Sequence, residues 1–416
     1  MTVPQRALLV LPTTAEYDSR TYRIASGLAA RGHEVTVLAR WKEGLPEDEV
    51  HEAGYRIVRV RSLPSGRATA SADRSPSLAA RLVRLPRRLL GRVLRNFAIF
   101  LTIRAQRNAT RRVAPPADLV HGMAYMGVPI ALDVARRSGA KVVYDARDIY
   151  LDAANLARLP RWLRWLVGRF ERRWARSVDR ILTVNRPYAE VMARRWGIEL
   201  PLVVMNCSYR FTPPEPPERR FHEVLVLPPD CRVVLYQGGF SRDRGIEQLI
   251  EAIRDVPNAN LVLLGYGVLH AELEAAAADP RNDGRVHVLP AVAPTELLSW
   301  VAAADVVAMP IQPTTLNHRL TTPNKLFEAM AAGVPVVASD LPGMTPIITE
   351  TGCGVVCDPT DPSAIAAALR RILEAPSSER EAYRARALAA AHGTYNWERQ
   401  LELLVAEYGR LTGKPW

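Results

Sequence analysis

The stretch Thr322-Pro323-Asn324-Lys325-Leu326-Phe327-Glu328 combines a helix start, a cation and a carboxylate at a spacing that could hold an anion beside a diol. Thr322 reads as an N-cap and Pro323 as the first helical residue, with Gly333 stopping the helix before an apolar Pro-Val-Val run. The opening N–H groups of such a helix point outward and its dipole is positive there, so the site attracts anions. Lys325 opposes that dipole, a mildly unfavourable placement of about 0.3–1 kcal/mol. An anion held between lysine and helix explains it; a solvated surface lysine is the blander reading. Glu328 follows Asn324 by one turn on the same face, where its carboxylate can accept from two vicinal hydroxyls. Ribose is the natural candidate, and a nucleotide is the ligand that offers both groups.

A second candidate is Tyr236-Gln-Gly-Gly-Phe-Ser-Arg-Asp-Arg-Gly245. Gly238 and Gly239 are expected to end a strand and let the backbone approach a ligand closely, or else merely to form a tight turn. Gly265 and Gly267 follow another apolar run. The sequence has no Asp-x-Asp and no histidine-cysteine cluster, so no metal site is expected. Cys207, Cys231, Cys353 and Cys357 read as buried thiols.

Residues 321–339 resemble the nucleotide-binding motif of the retaining GT-B glycosyltransferases of the large family-four group. In that family a Glu-x7-Glu motif ends in a ribose-binding glutamate followed by an Ala-Met-Ala-x-Gly-x-Pro-Val-Val-Ala-Ser run, which Glu328 and residues 329–339 match. The first glutamate is replaced by Leu320, as in a subset carrying Pro-Asn-Lys-Leu-Phe-Glu. The resemblance makes the Gly238–Gly239 loop a diphosphate loop, with Arg244 at the family's lysine position and Gly239 at its arginine position. Arg242 could reach in from the neighbouring turn. Gly265 resembles the family's Gly-x-Gly turn, and Leu289–Val292 the loop whose backbone holds the base. Negative charge grows on the departing diphosphate during glycosyl transfer. Arg244, Lys325 and the helix start are assigned to stabilise it. The resemblance also implies attack from the face of departure, with the leaving phosphate assisting deprotonation of the acceptor.

On the acceptor side, Tyr144-Asp-Ala-Arg-Asp148 stands where the family often has Tyr-Asp-x-His-Asp/Glu, so Arg147 occupies the histidine's place. An arginine cannot act as a base but can clamp a phosphate or hydroxyls. Asp145 and Asp148 could instead hold it in place. His121 is a further candidate at a strand end, where a lone histidine is more often structural. The first loop, Pro12–Arg20, lacks the family's Gly-Gly and offers Thr13, Thr14, Asp18 and Arg20.

Between Arg81 and Arg112 lie ten arginines and no acidic residue, interleaved with leucine and phenylalanine. Arg158–Arg176 adds seven arginines with Trp162, Trp165 and Trp174. Basic amphipathic helices of this kind suit an anionic membrane surface, although a solvated face on a core helix is the alternative. The charge is uneven along the chain. Residues 1–210 hold 37 Lys and Arg against 18 Asp and Glu, and the remainder 18 against 25.

The elements that must position these residues alternate. Apolar runs at 6–11, 34–39, 55–60, 118–121, 141–144, 180–184 and 202–205 are separated mostly by helical patterns, and after Thr-Pro-Pro-Glu-Pro-Pro at 212–217 the alternation restarts. Such alternation predicts parallel sheets covered on both faces. The expected fold is therefore α/β, two Rossmann-like doubly wound domains facing across a cleft. Expected boundaries are an acceptor domain at 1–209, a proline-rich linker at 210–222 and a donor domain at 223–392; the family resemblance of Tyr395–Leu411, with Trp397, implies a closing helix at 393–416 that packs back on the first domain. No apolar run approaches the roughly twenty residues of a membrane span. The expected place is the cytoplasm, at the inner face of the cell membrane. The activity expected is retaining, metal-independent transfer from a nucleoside-diphosphate sugar to a lipid-linked saccharide or other glycolipid in cell-envelope synthesis. A sugar-nucleotide epimerase of the same architecture is the nearest alternative, but no acid–base pair stands out. A non-catalytic sugar-nucleotide binder is another, favoured by Leu320 and Arg147. No nucleic-acid module is present, and no Gly-x-Gly-x-x-Gly follows the first strand as a dehydrogenase would need.

Overall fold

The computed structural model describes residues 3–16, 18–61 and 100–416. The chain divides into two compact units, one of residues 1–183, 191–202 and 404–416, the other of residues 184–190 and 203–403. The proline-rich stretch at 212–217 lies inside the second unit and carries neither helix nor strand.

In the first unit the strands are β1 (Arg6–Val10), β2 (Glu34–Arg40), β3 (Asp48–Val50), β4 (Arg56–Val60), β5 (Leu119–Met123), β6 (Lys141–Ala146), β7 (Arg180–Thr183) and β8 (Leu202–Val203), where the sheet ends at the border of the unit. Their order is β3-β4-β2-β1-β5-β6-β7-β8. β1, β2, β4, β5, β6 and β7 pair in parallel, and β3 adds an antiparallel edge. Parallel pairing needs both faces covered, which is why Leu8, Leu9 and Val10 are all buried without alternation. The strand order reverses between β1 and β5, so the loops after these strands splay apart and leave a crevice where doubly wound sheets bind ligands.

The second unit repeats the design with β9 (Arg232–Phe240), β10 (Ala259–Gly267), β11 (Val286–Pro290), β12 (Val306–Met309), β13 (Val336–Ser339) and β14 (Gly354–Cys357), ordered β11-β10-β9-β12-β13-β14 and parallel throughout. Its two faces sort by residue parity. Val233, Leu235, Val307, Met309 and Val336 pack with Leu326, Phe327 and Met330 of the helix Asn324–Ala331. Val234, Tyr236, Val306, Ala308 and Val337 face the helices Ile246–Ala252 and Pro362–Leu373. Fully burying a side chain of the Phe327 class contributes about 1.5–3 kcal/mol, so the sheet fixes this helix firmly. The order reverses between β9 and β12, which puts the carboxyl end of β9, with Gly238 and Gly239, at the switch point.

Among the described residues no helix is long and apolar enough to cross a membrane. Of the basic stretch between Arg81 and Arg112, residues 81–99 lie outside the described residues, whereas 100–113 is helical.

Candidate functional site

In the second unit, β9 does not stop at its glycines but runs through them to Phe240, because β10 follows it in register, with Gly238 opposite Gly265 and Phe240 opposite Gly267. A Cβ on Gly265 would fall 1.9 Å from the Gly238 carbonyl oxygen. Gly265, expected at the donor, is thus required by strand packing. Gly238 has φ +118°, and a Cβ there would point at Lys325 Nζ, 3.9 Å away, while Gly239 faces open space.

Lys325 sits where the helix opens. Its ammonium lies 3.5 Å from the centroid of the Tyr236 ring, a cation–π contact that holds it against the sheet edge. Burial pushes its pKa down to about 7, and the nearby Arg244 guanidinium pushes the same way against Glu328. Tyr236 in turn donates from its hydroxyl to the Gly239 carbonyl at 3.0 Å, fixing the glycine loop. Arg244 donates to the Ser241 hydroxyl at 3.4 Å. Two cations therefore converge beside a backbone that carries no side chains, a place that a diphosphate would neutralise.

The helix begins at Asn324, with Pro323 as its cap and no side-chain cap bond. The expected capping by Thr322 does not occur. Thr322 is buried, its hydroxyl donating to the Gly343 carbonyl and accepting from Asn185 at 3.0 Å, so tertiary bonds outcompete the local one. Asn324 is oriented by Asn206, which donates to its side-chain oxygen at 2.9 Å, and Gln237 donates to Glu328 at 3.4 Å. Arg242 is largely exposed and turned toward Glu272 at 3.4 Å, away from the role of replacement diphosphate arginine. Val292 lies beyond the end of β11, half-buried against the core. Leu320 ends a short helix, Leu316–Arg319, and its carbonyl accepts from Asn185 at 2.7 Å. Tyr236, Gln237, Asn185 and Asn206 were not singled out from the sequence. Only Tyr236 left a signal, an aromatic ring just before the glycine pair.

The first unit rearranges its candidates. Asp18 caps the helix Ser19–Ala29 by accepting from the Thr21 amide at 2.8 Å, and both its oxygens accept from Arg147 at 2.8 Å. Burial pushes the Asp18 carboxyl up, but Arg147 and Thr21 hold it below its usual range. Arg147 is thus held by Asp18, with the buried Asp145 carboxylate also favouring its charge. Asp148 is half-buried in the turn just after Arg147. Asp145 is wholly buried and pairs with Arg20 at 2.6 Å. Arg20, expected in an open loop, lies in the helix at 1% exposure. His121 is also enclosed, in the middle of β5, between Tyr408 and Asp145, and burial lowers its pKa. These two are structural and not available to a substrate. Thr13 is exposed, and Thr14 donates to Glu16 at 2.8 Å. Among the described residues no group of three His, Cys, Asp or Glu side chains could hold a metal ion.

Comparison with known proteins adds to this geometry. Residues 17–207 match the family described as Glycosyl transferase 4-like domain, and residues 231–375 match Glycosyl transferases group 1. The chain is similar to a D-inositol 3-phosphate glycosyltransferase of Xylanimonas cellulosilytica, 30% identical over 250 residues that cover 56% of this chain and 57% of that protein. Its counterpart in a Nocardioides species is 29% identical over 208 residues, covering 45% and 43%. The chain thus spans about half the length of these curated relatives. Among solved structures, sucrose-phosphate synthase of Thermosynechococcus elongatus superposes with a TM-score of 0.73 at 20% identity, covering 98% of this chain and 99% of the other. Anabaena HepE in complex with UDP superposes with 0.67 at 17% identity, covering 98% and 100%. These similarities show a shared fold. With a glycosyltransferase family match in each half and the two parallel-sheet units of the GT-B fold, the chain is similar to the GT-B glycosyltransferases of the family-four type.

Proposed function

We propose that the protein transfers a glycosyl group from a nucleoside-diphosphate sugar to an acceptor, with retention at the anomeric carbon and without a metal ion. The observation that carries this reading is the convergence of Lys325 and Arg244 beside the bare backbone of Gly238 and Gly239, with Glu328 one turn along the same helix. In this reading the diphosphate lies against the helix start, Asn324 and the glycine loop, and Glu328 accepts from the ribose hydroxyls. As the glycosidic bond to phosphate breaks, the two cations balance the charge that develops on the leaving oxygen. That oxygen then takes the acceptor's proton on the face of departure, so no carboxylate nucleophile is needed. Support comes from the relatives named as glycosyltransferases and from the fold shared with a protein crystallised with UDP and UDP-glucose.

The acceptor in this reading is a lipid-linked saccharide or another membrane glycolipid, presented at an anionic membrane surface to which the arginine-rich first unit binds. A second acceptor reading, a phosphorylated polyol, is favoured by the name of the relatives and by the half-buried Arg147, a cation suited to phosphate. Calorimetric titration with UDP, GDP and ADP tests donor binding, and proton NMR of the product from a turned-over sugar nucleotide reads the anomeric configuration. Absence of binding to every nucleoside diphosphate would overturn the donor assignment; an inverted product, or activity lost in EDTA and restored by a divalent cation, would overturn the mechanism.

A further inference from the structure

The helix Arg161–Ala175 of the first unit buries Leu163, Val167, Glu171 and Ala175 at four-residue intervals. Its opposite face carries Arg161, Trp162, Trp165, Arg169, Arg172 and Arg173, all exposed. Trp162 is 53% and Trp165 67% exposed, two large rings one turn apart in water. Tryptophan pairs left open in this way mark a surface that something covers. Beside them a groove of about 770 Å³ is lined by Arg164, Trp165, Arg169, Arg172, Arg195 and Trp196.

The charges of this groove are largely uncompensated. Arg164 and Arg195 share Asp152. Arg172 and Arg176 donate to the Trp196 carbonyl at 3.3 and 2.6 Å, which orients their guanidinium groups without neutralising them. Among the described residues no carboxylate pairs with Arg169, Arg172, Arg173 or Arg176. The acid within the helix, Glu171, is turned inward to accept from Tyr144 at 2.9 Å, and burial pushes its pKa up to about 7, so it offers little counter-charge.

We propose that this groove docks the phosphate head groups of an anionic bilayer, with Trp162 and Trp165 seated in the interfacial layer beside them. The proposal deepens the membrane reading given above and rests on it. Planar guanidinium groups match phosphate oxygens in pairs, and tryptophan favours the depth of lipid head groups, so one helix face supplies both halves of an interfacial contact.

The test is flotation of the full chain with phosphatidylcholine vesicles, alone and mixed with phosphatidylglycerol. The intact protein floats with the mixed vesicles and not with phosphatidylcholine, and salt weakens the binding. The double variant Arg169→Gln/Arg173→Gln partitions roughly thirty-fold more weakly, the product of two basic groups lost at an anionic surface, and Trp165→Ser also weakens it. Both variants keep the circular dichroism spectrum and UDP affinity of the intact protein, since none of the three residues belongs to the donor site of the second unit. Variants that float like the intact protein overturn the groove while the membrane reading stands. An intact protein that ignores the mixed vesicles overturns both, and unchanged UDP affinity then isolates the failure from the donor assignment. Loss in the double variant of binding to a single-stranded RNA, without flotation of the intact protein, overturns the lipid in favour of nucleic acid.

Discussion

Replacing Lys325 with methionine removes a charge while keeping a chain that still fills the space over Tyr236. In the free protein Lys325 titrates at about 7 instead of 10.5, so at pH 7 about half of the molecules carry the ammonium and at pH 9 about one in a hundred. A diphosphate that binds the charged form restores the proton. Its apparent Kd therefore rises roughly fifty-fold between pH 7 and pH 9, approaching tenfold per unit, and at pH 7 binding takes up about half a proton. Above pH 7.5 the diphosphate itself is fully ionised, so the slope belongs to the protein. Isothermal titration calorimetry with UDP across this range, repeated in buffers of different ionisation enthalpy, measures both quantities. The same lysine leaves a mark on stability with a definite sign. Its folded pKa is depressed, so between about 7 and 10.5 the unfolded chain holds the extra proton, and stability rises with pH in that window. The methionine variant loses the binding slope and this share of the stability slope. A UDP affinity that is flat from pH 7 to 9, or a methionine variant that keeps the slope of the intact protein, would refute the reasoning.

Glu171 works the opposite way. Its folded pKa is raised to about 7 from 4.5, so the stability it provides is full below its unfolded range and lost as pH climbs through 7; relative to Glu171→Gln, denaturant unfolding should show the intact protein losing roughly 2.5 kcal/mol between pH 5 and pH 8. Asp145→Asn leaves the Arg20 guanidinium, 1% exposed, without its carboxylate and costs about 3–5 kcal/mol in urea unfolding. A loss below 1 kcal/mol there would mean that water reaches the pair. Gly265→Ala puts a methyl group 1.9 Å from the Gly238 carbonyl and should fail to give a folded second unit, whereas Gly239→Ala, with nothing within 4 Å, should keep its melting temperature and weaken UDP binding. Equal melting temperatures for the two variants would contradict the strand register.

The alternation of apolar runs with helical patterns was enough to read a pair of doubly wound α/β units, because each strand buried on both faces writes itself as an uninterrupted apolar word. The edge strand Asp48–Val50 escaped notice since an exposed antiparallel edge needs no apolar residues at all. Lys325 and Glu328 could be picked out because a helix start puts neighbours in sequence on one face. The partners of Arg20, His121 and Arg147 could not. Arg20 meets Asp145 across 125 positions, Arg147 meets Asp18 across 129, and His121 meets Tyr408 across 287, distances over which local pattern carries no information. An arginine in a polar loop and an arginine in a buried ion pair look alike until the opposing carboxylate is located. Thr322 shows the same limit from the other side, since a local rule for capping was overruled by Asn185 and Gly343, both remote in sequence.

The helix Trp397–Thr412 begins in the second unit, yet residues 404–416 belong to the first, where Tyr408 closes over His121 and Lys414 reaches Asp118 at 2.9 Å. A ribosome therefore finishes translating the second unit before it delivers the piece that completes the first. Until then the nascent first unit holds an open slot above a histidine and an ion pair that are dry only in the finished protein. Completion of the first unit thus waits on residues made after the second, and a premature stop ahead of Leu404 would leave the earlier-made half as the damaged one.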